Sequence, residues 1–305
     1  MTLTPEKLSQ NVHWWELAGH DPAKLNEAWR LTHHAAQPLA EVGKAFAVPS
    51  PDDSHTNLEW FHGNNLIQGY LAGVVVESPK GDHLRAALRM IDLHAFLIRP
   101  SGEAVGAMEL RGATSEQAHQ WIVDAAMNAL DAPIRQATEP APDLPDHPVA
   151  SGAPFGEPDQ MSQAELIRLY ANTDGVLTVL KSLVPETSEA RCWPHHFDLA
   201  TLTEVARGDD GNATRTIGVG LTPPDSLSPE GYWYVSPWSA DRIAKGERAD
   251  LPYGRWIDRG EGVPPMALLP ISEVAGPQDP KEELARCAGF IAAAFNEATQ
   301  MIRVS

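Results

Sequence analysis

Cysteine is nearly absent from this chain: Cys192 and Cys287 are the only two in 305 residues. They are too few and too far apart for a disulfide framework or a thiolate-rich zinc site. Two reduced, partly buried thiols are expected, although the histidines beside Cys192 leave open a reactive thiolate. Long apolar runs are missing as well, since none reaches the roughly eighteen residues that a spanning helix needs. Residues 1–10 are polar and carry a helix-start signal at Thr4-Pro5-Glu6, unlike a secretory leader. A cytoplasmic protein with no membrane partner is the expectation. Positive charge is scarce, with 23 Lys and Arg against 41 Asp and Glu and a net charge of -18. With no basic stripe, nucleic acid is not an expected partner. The sequence also lacks a His-Glu-x-x-His zinc motif, a Gly-x-Ser-x-Gly elbow and a phosphate loop. Gly218-x-Gly220 falls in a strand pattern with no helix after it, so it is no dinucleotide fingerprint.

What is present is ordinary globular material, 43% apolar and 21% charged, long enough for one large domain or two of ordinary size. Residues 1–20 read as a short amphipathic helix ending near Trp14-Trp15-Glu16-Leu17. Asp21-Pro22 is a cap followed by a first-turn proline. Leu25, Ala28, Trp29, Leu31, Ala35 and Leu39 then recur at helical spacing to about residue 46. His33 and His34 on this helix point about 100° apart, a poor chelating pair, and are expected to be partly exposed. Short strands follow at 58–62 and 66–70, one or two more over 84–98, and another at 104–110. Thr114-Ser115-Glu116-Gln117 opens a helix to about residue 130.

Residues 137–161 are rich in proline and read as an extended linker. Beyond it the order restarts. A capping-box pattern at Ser162 and Glu165 opens a helix to about residue 183. A strand over 191–206 carries the densest chemistry in the chain. Strands at 214–221 and 232–235, the latter closed by Pro237, a short one at 267–271 and a terminal helix complete it. The expected fold is therefore α+β with mainly antiparallel sheet, in two similar halves, 1–136 and 162–305. Trp60-Phe61-His62 occupies the place in the first half that Trp193-Pro194-His195 occupies in the second, which suggests an internal duplication. The repeat is too long for a solenoid. Whether the halves share one sheet is left open.

The dense stretch is Cys192-Trp193-Pro194-His195-His196-Phe197-Asp198-Leu199. On a strand, His196 and Asp198 would share a face with their roots about 7 Å apart. An imidazole and a carboxylate so placed can form half of a divalent-metal site, with His62, His94, Glu59 or Asp92 as the missing ligand. They can equally form a carboxylate-oriented general base with His195 nearby, or a structural hydrogen bond under Trp193. Tyr232, Trp233, Tyr234, Trp238, Tyr253 and Trp256 make an aromatic cluster that suits either a small-molecule pocket or a packed sheet edge. Arg255 near Asp258 could bind a carboxylate or form a surface ion pair. The leading expectation is a small-molecule enzyme or binder. His195, His196 and Asp198 would be its catalytic groups, His196, Asp198 and His62 its metal ligands, and Trp193, Tyr232, Trp233 and Arg255 its ligand contacts. The rival is a non-enzymatic interaction module that holds a protein partner or a second copy of itself.

The second half also resembles a family of uncharacterised bacterial proteins, a domain of unknown function. The residues that carry the likeness are Pro194-His195-His196-Phe197-Asp198-Leu199-Ala200, Ile217-Gly218-Val219-Gly220, Tyr232-Trp233-Tyr234 and Pro252-Tyr253. The first half matches only in element order and in Trp60. The resemblance implies where a site lies and brings no activity with it.

Overall fold

A computed structural model describes residues 2–19, 21–61, 68–134, 144–241, 243, 248–260, 262–276 and 279–303. It is α+β with two antiparallel sheets. The chain forms two compact units. One comprises His20–Ile167 and Arg191–Phe197, the other Met1–Gly19, Arg168–Ala190 and Asp198–Ser305. Among the described residues, no helix is long and apolar enough to cross a membrane.

The opening helix α1 is only Pro5–Leu8, capped by Thr4, and residues 12–19 are not helical. The helical spacing of Trp14 and Leu17 is thus misleading. These two side chains are buried in a segment without regular secondary structure, held by long-range contacts.

In the unit that contains residues 21–61, α2 (Pro22–Phe46) begins at the Asp21 cap, whose carboxylate accepts from Ala23 N. It runs unbroken through Pro38 and is buried along nearly all of its length after Trp29. Its sheet contains β1 (Glu59–Phe61), β2 (Tyr70–Ala72), β4 (His83–Arg89), β5 (His94–Ile98) and β6 (Ala104–Glu109) in that order, with β3 (Val76–Glu77) paired to β4. Helix α3 (Ser115–Leu130) carries the capping box of Thr114 and Gln117 that the sequence predicts. It packs on α2 and on β4, β5 and β6. The described part of the proline-rich segment is not a bare extended linker. It includes a 3₁₀ turn, Pro148–Ser151, and buries His147, Val149 and Phe155.

Helix α4 (Gln160–Leu183) starts two residues before Ser162. The capping oxygen there is Asp159 Oδ1, which accepts from Ser162 N at 2.9 Å and from the Ser162 hydroxyl at 2.7 Å. After β7 (Arg191–Trp193) come β8 (Asp198–Arg207), β9 (Ala213–Thr222), β10 (Tyr232–Ser239), β11 (Arg255–Ile257) and β12 (Met266–Pro270). The last five form a sheet in the order β11-β12-β10-β9-β8. Pro237 does not close β10. Pairing to β12 involves only Tyr232 to Val235, so one edge of β10 is open at Pro237 and a proline nitrogen facing that edge removes no ladder bond. The turn α5 (Ile271–Val274) leads towards α6 (Pro280–Arg303), whose apolar face covers β10, β9 and β12. The two sheets share an antiparallel run of strands but end differently, because β12 inserts between β10 and β11 in the second.

Candidate functional site

The histidine stretch is not one strand. β7 stops at Trp193, and residues 194–197 form a turn before β8 starts at Asp198. Pro194 has no N–H for a ladder, and this is the sequence signal for the break. Trp193 O accepts from His196 N at 3.1 Å and from Phe197 N at 2.6 Å. Phe197 has a φ of 57°, left-handed and unusual for a bulky residue. The alternating-face geometry that would pair His196 with Asp198 therefore does not apply. His196 belongs to the unit of α2, and Asp198 begins a strand of the other unit.

The turn is held from behind by α2. His33 Nε2 lies 2.7 Å from the Pro194 carbonyl oxygen, and Gln37 Nε2 donates to the same oxygen at 2.7 Å. A carbonyl can only accept, so His33 carries its proton on Nε2. The buried Phe197 ring stacks on His33, with centroids 4.8 Å apart and planes 8° apart. His33 and His34 are thus core groups, contrary to the expected partial exposure. Burial pushes His33 down to about 4, only partly offset by the Pro194 bond, with His34, His196 and His195 adding to the shift. Burial also lowers His34, which donates to Pro145 O at 2.9 Å. His147 Nδ1 accepts from Val149 N, and its Nε2 meets Glu27 Oε1 at 3.0 Å.

On the outer side of the turn, His195 and His196 are exposed, with ring centroids 4.3 Å apart. Partial desolvation, then the neighbouring His196, hold His195 below the ordinary imidazole range. Its C2–H resonance is accordingly expected to titrate with a midpoint below about 6.5. Substituting His196→Gln should move that midpoint upward. A wild-type midpoint at or above the ordinary value would contradict this geometry.

Several proposed metal ligands are engaged in other pairs. Asp92 accepts from Arg89 at 2.8 and 2.6 Å and lies 3.3 Å from His94 Nδ1, while Glu59 accepts from Arg85 at 2.8 Å. His62 lies outside the described residues. Among the described residues, no group of three or more His, Cys, Asp and Glu is placed to hold a metal ion.

Asp198 has a different partner. Its Oδ2 accepts from the Tyr234 hydroxyl at 2.7 Å. Tyr234 on β10 pairs with Gly220 on β9, and Gly220 with Ala200 on β8. The tyrosine passes Gly218, where a Cβ would lie 3.7 Å from its Cε2, and reaches the next strand but one. A Cβ at Gly220 would fall 2.6 Å from that of Ala200. This explains glycine at 220, whereas a Cβ at 218 would meet only ordinary van der Waals contact. Tyr232, on the same face, donates to Asp225 at 2.8 Å. Burial, followed by the nearby carboxylates, raises both tyrosines above their usual range. Trp233 faces the other way, into the helix-covered core. Its Nε1 donates to Thr173 Oγ1 at 2.9 Å, and its ring lies 6.2 Å from that of Trp14. Trp193 is half-buried on β7.

A concave site is found where Arg255 lies. The segment before β11, together with β11, lines an open cleft of about 550 Å³ that includes Arg248, Asp250, Leu251, Gly254, Arg255 and Trp256. Gly254 adopts a φ of +67°, and a Cβ there would collide with the Leu268 carbonyl oxygen, so the turn into β11 requires glycine. Arg248 is paired with Asp258. The guanidinium of Arg255 and the carboxylate of Asp250, both exposed, have no ion-pair or hydrogen-bond partner among the described residues. The Trp256 indole N–H is buried and likewise finds no acceptor among them. Sequence reasoning singled out Arg255 and the aromatic character of Trp256, but it missed Arg248 and Asp250, which carry no motif. Compared with known proteins, the chain matches no family model, no curated protein and no solved structure.

Proposed function

We propose that this chain is a small-molecule binder whose site is the cleft beside β11. One observation carries the reading: an open cleft of about 550 Å³, within the size range of small-molecule sites, is lined by Trp256, an exposed guanidinium and an exposed carboxylate, and the two charges have no ion-pair partner among the described residues. The test is a thermal-shift screen of a metabolite library against wild type and Leu251→Trp, a substitution that fills the cleft. At least one compound is expected to raise the wild-type melting temperature and to lose that effect in the variant. No such compound, or equal shifts in both proteins, rejects the reading.

A second reading is acid/base chemistry at His195 and His196, favoured by two adjacent exposed imidazoles of which His195 is held below the ordinary range by partial burial and by its neighbour. As part of the same proposal, the similar helix–strands–helix order of the two halves supports their descent from one duplicated unit.

A further inference from the structure

The cleft beside β11 presents two opposite charges that do not meet each other. Arg248 is compensated by Asp258. That leaves Arg255 and Asp250 on the lining, each without an ion-pair partner among the described residues. In a chain with a net charge of -18, long-range steering disfavours a plain anion, so a guanidinium by itself would be a poor lure for one. Leu251 and the indole ring of Trp256 add apolar surface to the same lining.

We infer that the ligand is a zwitterion of the α-amino-acid type, its carboxylate taken by Arg255, its ammonium by Asp250, and its side chain lying against Trp256 and Leu251. A ligand with both charges leaves neither protein group uncompensated, and its net neutrality escapes repulsion by the acidic surface. A guanidinium suits a carboxylate because its planar donors match both oxygens. This inference rests on the cleft being a ligand site, as proposed above.

Three compounds of one shape separate the two ideas: L-phenylalanine, 3-phenylpropionate, which lacks the ammonium, and 2-phenylethylamine, which lacks the carboxylate. The readout is the ¹H–¹⁵N resonance of the Trp256 indole, assigned by its loss in Trp256→Phe and followed during titration to about 10 mM. Phenylalanine is expected to move it, with each truncated compound weaker by about twofold to fivefold, the equivalent of one exposed charge pair. Arg255→Gln should reduce phenylalanine binding to the level of phenylethylamine, and Asp250→Asn to that of phenylpropionate. Equal binding of the three compounds, or phenylpropionate binding as tightly as phenylalanine, overturns the zwitterion and leaves the cleft a binding site. No movement with any of the three overturns the amino-acid inference as well, and the library screen above then decides whether the cleft binds anything else.

Discussion

Replacing Glu283 with alanine is expected to lower the unfolding free energy by about 3–5 kcal/mol and to release the amino-terminal segment from α6. Glu283 lies in the first turn of α6 and is fully buried, a position where the helix dipole favours a carboxylate. Its Oε2 accepts from Trp14 Nε1 at 2.8 Å and from Leu17 N at 3.0 Å. Truncation would strand two buried donors at once, and each unsatisfied donor costs about 1–3 kcal/mol. The same segment is held at two other points by asparagine side chains acting as surrogate backbone. Asn172 pairs with both N and O of Trp15, and Asn296 does the same for Leu3. Glu283→Gln keeps an acceptor in place and should cost roughly half as much. Urea denaturation gives the stabilities, and amide exchange at Leu17 reports the local release. An alanine variant within about 1 kcal/mol of wild type, with Leu17 still protected, would show that the carboxylate does not hold the segment.

This clamp also shows why part of the fold was not legible in the sequence. Trp14 and Leu17 are three apart, a helical spacing, and nothing local indicates that Glu283, with Asn172 and Asn296 at Trp15 and Leu3, will hold this segment out of a helix. Helices α2 and α3 were legible because their signals are local: Asp21-Pro22 before a periodic apolar face, and Thr114 with Gln117. Where two local signals competed, as at Asp159 and Ser162, the earlier oxygen won and α4 began ahead of the predicted cap. The histidine turn departs from the expected strand over 191–206 because Pro194 inside it cannot donate to a ladder. The burial of His33 and His34 could not be foreseen, because the carbonyl groups that satisfy them belong to Pro194 and Pro145, far along the chain. Of the candidate ligand contacts, Arg255 was legible as a charge beside aromatics. The charges around it became readable only once β11 had been placed against β12.

The buried histidine makes the second large effect a dependence on pH. Acidification from pH 7 to pH 5 is expected to remove about 2 kcal/mol of stability through His33 alone, and about 3 kcal/mol once the pH is below 4. Its folded value is near 4, against an ordinary 6.5. Between these two values the unfolded chain binds a proton that the folded chain refuses. Stability is therefore complete above about pH 6.5 and falls progressively down to about pH 4, below which this group adds no further slope. Protonation is resisted because the ring is buried against Phe197 and because His34, His196 and His195 disfavour another positive charge, and the bond to Pro194 O offsets this only in part. His34, lowered for the same first reason, acts in the same direction. In His33→Gln the amide can still donate to a carbonyl but cannot titrate, so the profile between pH 6.5 and pH 4 should flatten by the His33 share. Urea midpoints of the two proteins at pH 7.5, 6, 5 and 4 measure the difference directly. Parallel profiles would mean that His33 titrates alike in the folded and unfolded chain, and that the histidine turn opens to solvent far more readily than its packing implies.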